Sequence, residues 1–173
     1  QLKILMKLQK KNDAVRRCIS EGYECKKIAV EKIKHFVSKE AFNIDGLGKK
    51  IIENFCKLKL IELPQDIFNL DYKEIEKLEG WGQLSVTNLK FSIESKKQIS
   101  LERFIYSLGS RHRGQENAKI IARHLKSISN FLELLEKKNI NNLSNIDGIG
   151  TTQIQSIKKF FLNKTNLKVS FEL

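Results

Sequence analysis

The sequence predicts an all-α protein built from four tandem pairs of short helices, and three observations carry that expectation. A glycine, apolar, glycine phrase recurs as Gly46-Leu47-Gly48, Gly80-Trp81-Gly82 and Gly148-Ile149-Gly150, with an altered copy at Ser110-Arg111-His112-Arg113-Gly114. The copies stand at near-constant intervals of 34, 32 and 36 residues, counted at positions 46, 80, 112 and 148, and such a period marks stacked two-helix units. Each copy also runs into the same apolar pattern. Four residues past the second glycine stand Ile52, Val86, Ala118 and Ile154, and seven past it Phe55, Leu89, Ile121 and Ile157. At the eleventh position Lys59 breaks a stripe that Ile93, Leu125 and Phe161 continue, as expected of one buried helix face.

Upstream of each turn, Ala41, Ile75, Ser107 and Leu143 read as the close of a preceding helix. Helix starts are signalled by Ser100 ahead of Leu101-Glu102-Arg103, by Ser129 ahead of Phe131, and by Asn142 or Ser144 before the fourth turn. Residues 60–71, with the chain's one proline, Pro64, join the first and second pairs. Alternating Leu167, Val169 and Phe171 make residues 163–173 a linker or an isolated strand leading to a further domain. The total expected is about nine to eleven short helices.

A sharp turn into a helix needs backbone angles that a Cβ resists, and glycine also lets a ligand approach the backbone closely. The turn aims the unpaired amides of the next helix outward, where they and the helix dipole attract a phosphate oxygen. This is the arrangement of a helix-hairpin-helix array. A tetratricopeptide-like solenoid shares the period but calls for no glycine turn in every unit. The residue between the glycines, Leu47, Trp81 or Ile149, is read as a plug between the two helices. The expected DNA contacts are the backbones of Gly46, Leu47, Gly48, Gly80, Trp81, Gly82, Gly114, Gly148, Ile149 and Gly150. Beside them stand the side chains of Lys49 and Lys50 at the first turn, Gln83 at the second, Arg111, His112, Arg113 and Gln115 at the third, and Thr151 and Thr152 at the fourth. Contacts of this kind position a protein without reading bases.

A formal charge of +12 fits a polyanionic partner. Lysine, isoleucine and asparagine are all abundant, as they are in proteins of AT-rich genomes, so the distribution is more telling than the total. Residues 1–60 carry 15 basic and 7 acidic side chains, residues 61–100 carry 5 and 7, and residues 101–173 carry 12 and 6. Basic ends flank an acidic connector. No run of 18 apolar residues offers a membrane span, and the charged first ten residues do not read as a secretory signal. The expected location is the cytoplasm, with no membrane partner. Three cysteines, Cys18, Cys25 and Cys56, are an odd number and no disulfide framework; Cys56 reads as a small core residue.

Several strings, in this order and spacing, resemble one family. They are NDAVRRC with a second cysteine seven residues on, KHFVSKEAFNIDGLGKKIIENF, DIFNL before LEGWGQLS, RFIYSLG before SRHRGQENA, and LSNIDGIGTTQIQSI. Across residues 12–165 the chain resembles the NAD-dependent DNA ligases of bacteria. The resemblance implies the C-terminal part of such an enzyme: the end of its zinc finger and its helix-hairpin-helix domain. Residues 1–34 then correspond to a remnant of the finger and the leading helix, 35–162 to the DNA-binding domain, and 163–173 to a linker. The full enzyme uses NAD and magnesium and seals nicks in replication and repair. This chain has no Lys-x-Asp-Gly motif to take up AMP, so it is expected to be inactive alone and to hold no cofactor. Cys18 and Cys25 match the second half of the family's zinc site, with six residues between them, one more than the family pattern. A tetrahedral site needs four ligands, residues 1–10 supply no cysteine, and no bound zinc is expected.

The resemblance further implies duplex or nicked DNA as partner, a nucleoid-associated place in a bacterial cell, and a separately encoded N-terminal ligase part as a possible second partner. Where the family has apolar residues, Ser110 and Arg113 stand in the third copy, which makes that copy degenerate. The alternative is a truncated or decayed ligase remnant, inert or serving protein interaction. A helix-hairpin-helix glycosylase would have one dominant hairpin and a catalytic aspartate, which four even copies do not favour.

Overall fold

The apolar stripes of the repeat become the buried faces of helices. The computed structural model describes Tyr23 and residues 25–109, 114–136, 140, 143 and 146–173, and among these it contains nine α-helices, a 3-10 helix at Pro64–Asn69, further 3-10 positions at Ile140 and Leu143, and no strand. The order is α1 (Lys26–Phe36), α2 (Lys49–Lys57), the 3-10 helix (Pro64–Asn69), α3 (Tyr72–Glu76), α4 (Gln83–Ser95), α5 (Leu101–Ser107), α6 (Gln115–Leu125), α7 (Ile128–Glu136), α8 (Thr151–Leu162) and α9 (Lys164–Glu172). Helix α1 packs on α2, α3 on α4, and α5 on α6. No helix among the described residues is long and apolar enough to cross a membrane.

Equivalent positions of the copies share one environment. Ile52, Val86, Ala118 and Ile154 are buried, as are Phe55, Leu89, Ile121 and Ile157, and so are Ala41, Ile75, Ser107 and Leu143 upstream. Each large apolar side chain so buried contributes roughly 1.5 to 3 kcal/mol, and the repetition of the pattern makes the core continuous along the chain. Lys59, the apparent break in the stripe, lies beyond the end of α2 with φ of 60°. The Leu60 amide there donates back to the Phe55 carbonyl at 2.9 Å. The stripe stops because the helix has stopped.

The caps follow side-chain chemistry. Asp71 accepts from the amides of Lys73 and Glu74 at the start of α3, and Asn163 accepts from those of Thr165 and Asn166 at the start of α9. Ser100 takes the N-cap place of α5 as expected, although its side chain makes no capping bond. The start of α7 differs from expectation. Ser127, and not Ser129, receives the Asn130 amide, at 3.1 Å, because Lys126 ends α6 in the left-handed conformation and Ser127 follows at once. Asn142 and Ser144 lie outside the described residues.

Residues 163–173 differ more. Where alternation suggested a strand or linker, the chain forms α9 and packs back on α8 and on the 3-10 helix. Its buried residues are Asn166, Val169 and Ser170, a helical spacing in which two of three members are polar. Asn166 Nδ2 donates to the Phe160 carbonyl at 2.9 Å, and its Oδ1 accepts from Lys32 Nζ at 3.1 Å. Gln65 Nε2 donates to Glu172 at 2.7 Å. A polar buried face is invisible to a count of apolar residues.

Candidate nucleic-acid interface

Three glycine turns share a backbone. Gly46, Gly80 and Gly148 have φ of 89°, 81° and 87°, values that L side chains rarely adopt. At Gly148 a Cβ would also come within 3.1 Å of Ile120 Cδ1. The second glycines have a different reason to be glycine. Gly48, Gly82, Gly114 and Gly150 are the N-caps of α2, α4, α6 and α8, in extended backbone with negative φ that other residues adopt readily. At Gly48, Gly82 and Gly114 a Cβ would meet nothing within 4 Å. Neither positive φ nor internal packing requires glycine at Gly48, Gly82 and Gly114; glycine is a favoured N-cap, and its bareness also leaves the backbone open to something that approaches from outside.

What approaches meets the start of a helix. The first intrahelical bonds run from Ile52 to Gly48, Val86 to Gly82 and Ala118 to Gly114, and from both Gln153 and Ile154 to Gly150, so the amides before them point outward with the positive end of the helix dipole. The side chain three residues past each capping glycine then separates the turns. Ser85 Oγ accepts from the Gly82 amide at 3.0 Å and donates to the Gly82 carbonyl at 2.8 Å. The Gln153 side chain accepts from the Gly150 amide. In the first turn the same place is held by Ile51, which offers no acceptor.

Flanking charge differs as well. Lys49 and Lys50 are both exposed in the first turn of α2, which has no acidic residue there. That placement opposes the preference for anions at helix N-termini, and a bound anion would reverse the sign of the interaction. Behind them, Lys34 of α1 pairs with Glu53 of α2 and with Glu31, each at 2.6 Å. Those bonds raise the pKa of Lys34, and the hydrogen bond from Lys34 lowers that of Glu53.

The expected contact residues are placed as follows. Gln83, Gln115, Thr151 and Thr152 are exposed beside their turns. Leu47 and Ile149 are buried, so only their backbones face outward. Trp81 is half-buried, with its ring centroid 5.5 Å from that of Phe55. Ser110, Arg111, His112 and Arg113 lie outside the described residues, as does Cys18. Cys25, at the N-cap of α1, and Cys56 are free thiols; Cys56 is half-buried against the core, and burial pushes its thiol pKa up. No group of three or more histidine, cysteine, aspartate or glutamate side chains suited to a metal ion occurs among the described residues. His35 is half-buried, its Nε2 2.8 Å from the Tyr106 carbonyl.

Two features escaped the sequence reading. The caps at Ser85 and Gln153 were legible in principle, since a polar residue three past an N-cap is half of a capping box. Arg103, which bonds to carbonyls of the loop before the first turn, carried no such local signal.

Comparison with known proteins agrees with this geometry. The model of the helix-hairpin-helix motif matches residues 103–169, from the start of α5 into α9. The DNA ligase of Pelagibacter ubique (strain HTCC1062) is 76% identical over 164 residues, covering 95% of this chain and 24% of that protein. The chain is thus similar to a part of that ligase. The DNA ligase of Wolbachia pipientis wMel is 41% identical over 171 residues, 95% of this chain and 26% of the relative. That of Rickettsia bellii (strain OSU 85-389) is 41% identical over 169 residues, 91% and 24%. The chain thus spans about a quarter of the length of the curated relatives it matches.

Proposed function

We propose that this chain binds duplex DNA, nicked or intact, without regard to sequence, as the helix-hairpin-helix part of an NAD-dependent DNA ligase. The observation that carries the reading is the set of second glycines whose missing Cβ serves neither conformation nor packing at Gly48, Gly82 and Gly114. Phosphate oxygens are suited to the outward amides. The exposed side chains beside them, Lys49 and Lys50 above all, add charge. Four such turns form one tandem array, in which the third is degenerate at Ser110 and Arg113. Residues 35–162 make up the DNA-binding unit, with α9 closing over it, and residues 1–34 correspond to the end of the zinc finger and the leading helix.

In this reading the chain supplies grip and not chemistry. Nick sealing, with its need for NAD and magnesium, belongs to the whole ligase, and this stretch would serve it by holding the backbone around the nick. A separately encoded N-terminal ligase part is the protein partner that fits such a role. Titration of a fluorescent nicked duplex at two salt concentrations tests the proposal. Log affinity is expected to fall linearly with log salt, by about one unit of slope per phosphate neutralised, with equal binding to unrelated sequences. Binding that ignores salt, or that prefers one sequence, would overturn it.

A further inference from the structure

The chain between α1 and the first glycine turn is irregular. Ala41 and Asn43 both donate to the Ser38 carbonyl, Asn43 has φ of 51°, and Phe42 reaches back to the Phe36 carbonyl at 3.1 Å. Such a segment leaves carbonyls outward, and two of them are taken by one side chain from far along the sequence. Arg103, on α5, donates from Nε to the Ala41 carbonyl at 2.7 Å and from Nη2 to the Lys39 carbonyl at 2.6 Å. A guanidinium has a rigid planar fork and can hold two acceptors at once, where a lysine ammonium on a flexible stem fixes neither direction. One turn along the same face of α5, the Tyr106 carbonyl lies 2.8 Å from His35 Nε2, and the two rings pack with centroids 4.7 Å apart. Gly109 completes the seam, since a Cβ there would come within 2.8 Å of His35 Cδ2.

The seam joins two elements that each end at an amide cluster. On one side are α1 and the loop that delivers Gly46, Gly48 and the start of α2. On the other is α5, which packs on α6, whose N-cap is Gly114. We infer that Arg103 is a positioning residue for DNA binding: it fixes the first glycine turn against α5 and so sets where Lys49, Lys50 and the α2 amides meet the phosphate backbone. This rests on the proposed DNA binding, and a readout without DNA keeps the two claims separable.

The test uses Arg103→Met and Arg103→Lys in the full chain. Without DNA, Arg103→Met is expected to speed hydrogen exchange about tenfold at the Phe42, Ile44 and Ile52 amides, whose acceptors are Phe36, Val37 and Gly48, while the Val86 amide of the second turn stays unchanged. Arg103→Lys, which keeps the charge but not the planar fork, should fall between. With nicked duplex, Arg103→Met is expected to weaken binding about fivefold to tenfold, and adding Lys49→Ala and Lys50→Ala should then cost less than it does in the parent chain, as for coupled sites. Uniform acceleration of exchange across both turns, or losses of affinity that simply multiply, would make Arg103 an ordinary stabilising residue and overturn the inference. If the parent chain fails to bind DNA, the functional proposal falls, and the exchange pattern still decides whether Arg103 positions the turn.

Discussion

The first and second glycine turns have nearly the same backbone, with φ of 89° and 81° at their leading glycines, and opposite surroundings. At the first, the amides of α2 are flanked by exposed Lys49 and Lys50, and the residue three past the capping glycine is Ile51. At the second, Ser85 occupies the Gly82 amide, Gln83 and Leu84 replace the lysines, and the surrounding residues 61–100 carry more acidic than basic side chains. Equal backbones therefore do not mean equal grip. The turn geometry is set by glycine and by buried plugs, whereas the affinity for an anion is set by whether the amides are already satisfied and by which charges stand beside them.

The largest effect expected from this difference is in the lysines. Lys49→Ala with Lys50→Ala should weaken binding to nicked duplex about tenfold to a hundredfold at low salt and flatten the salt slope by about two units. Gln83→Ala should change affinity less than about twofold, by the same titration, since no counterion is released through it. Equal losses at both turns would break the comparison.

Next in size is the effect of a methyl group. Gly48→Ala is expected to cost about 0.5 to 1 kcal/mol of stability in thermal melts, since alanine is a poorer N-cap than glycine even where its Cβ meets open space, and to weaken binding about fivefold by intruding on the approach to the amides. Gly82→Ala should be milder in binding because Ser85 already holds that amide. Gly148→Ala is the control for conformation. With φ of 87° and Ile120 Cδ1 at 3.1 Å, it should lower stability by about 1 to 2 kcal/mol, whatever the ligand.

Smaller still is the effect of removing a cap. Ser85→Ala takes away the acceptor of the Gly82 amide, which should cost about 0.5 to 1 kcal/mol in a chemical melt. The same change frees that amide for phosphate, so binding should tighten slightly even as the fold weakens. A loss of both would mean that Ser85 itself holds the ligand.

The smallest expected effect concerns the pair behind the first turn. Lys34 lowers the pKa of Glu53, so the folded state binds that proton less readily than the unfolded chain. The contribution is present above the unfolded carboxylate pKa and is lost as pH falls through the lower folded value. Lys34→Met should therefore flatten the acid limb of the stability profile while leaving it unchanged near neutral pH in shape. The exposure of the Glu53 side chain and salt screening keep the change slight.

What the sequence made legible was whatever repeats. Ile52, Val86, Ala118 and Ile154 could be aligned with one another because each buries the same helix face, and the leading glycines could be identified because few other residues suit their backbone. Helix α9 was not legible, since its buried Asn166 and Ser170 are polar: Asn166 bonds to Phe160 and Lys32 outside the helix, and Ser170 donates to the Asn166 carbonyl within it. The start of α7 depended on where α6 ended, which Lys126 decides with a left-handed φ of 64°. Arg103 begins the RFIYSLG string, but its acceptors lie 62 and 64 residues away, and no local pattern announces a contact of that range. The differing strengths of the turns were half legible: the lysines stand in the sequence, whereas the Ser85 and Gln153 caps needed the geometry.

The claim that the bare glycines serve an outside phosphate backbone is tested most directly by amide chemical shifts. The 15N-labelled chain would be titrated with nicked duplex while the glycine amides are followed individually. The expected result is that Gly48 and the amides of Lys49 and Lys50 shift first and furthest, those of Gly82 and Gly150 follow with smaller changes as their caps compete, and core amides such as Leu89 and Ile121 stay in place. Saturable shifts confined to other surfaces, with the Gly48, Gly82 and Gly150 amides unmoved, would contradict the account.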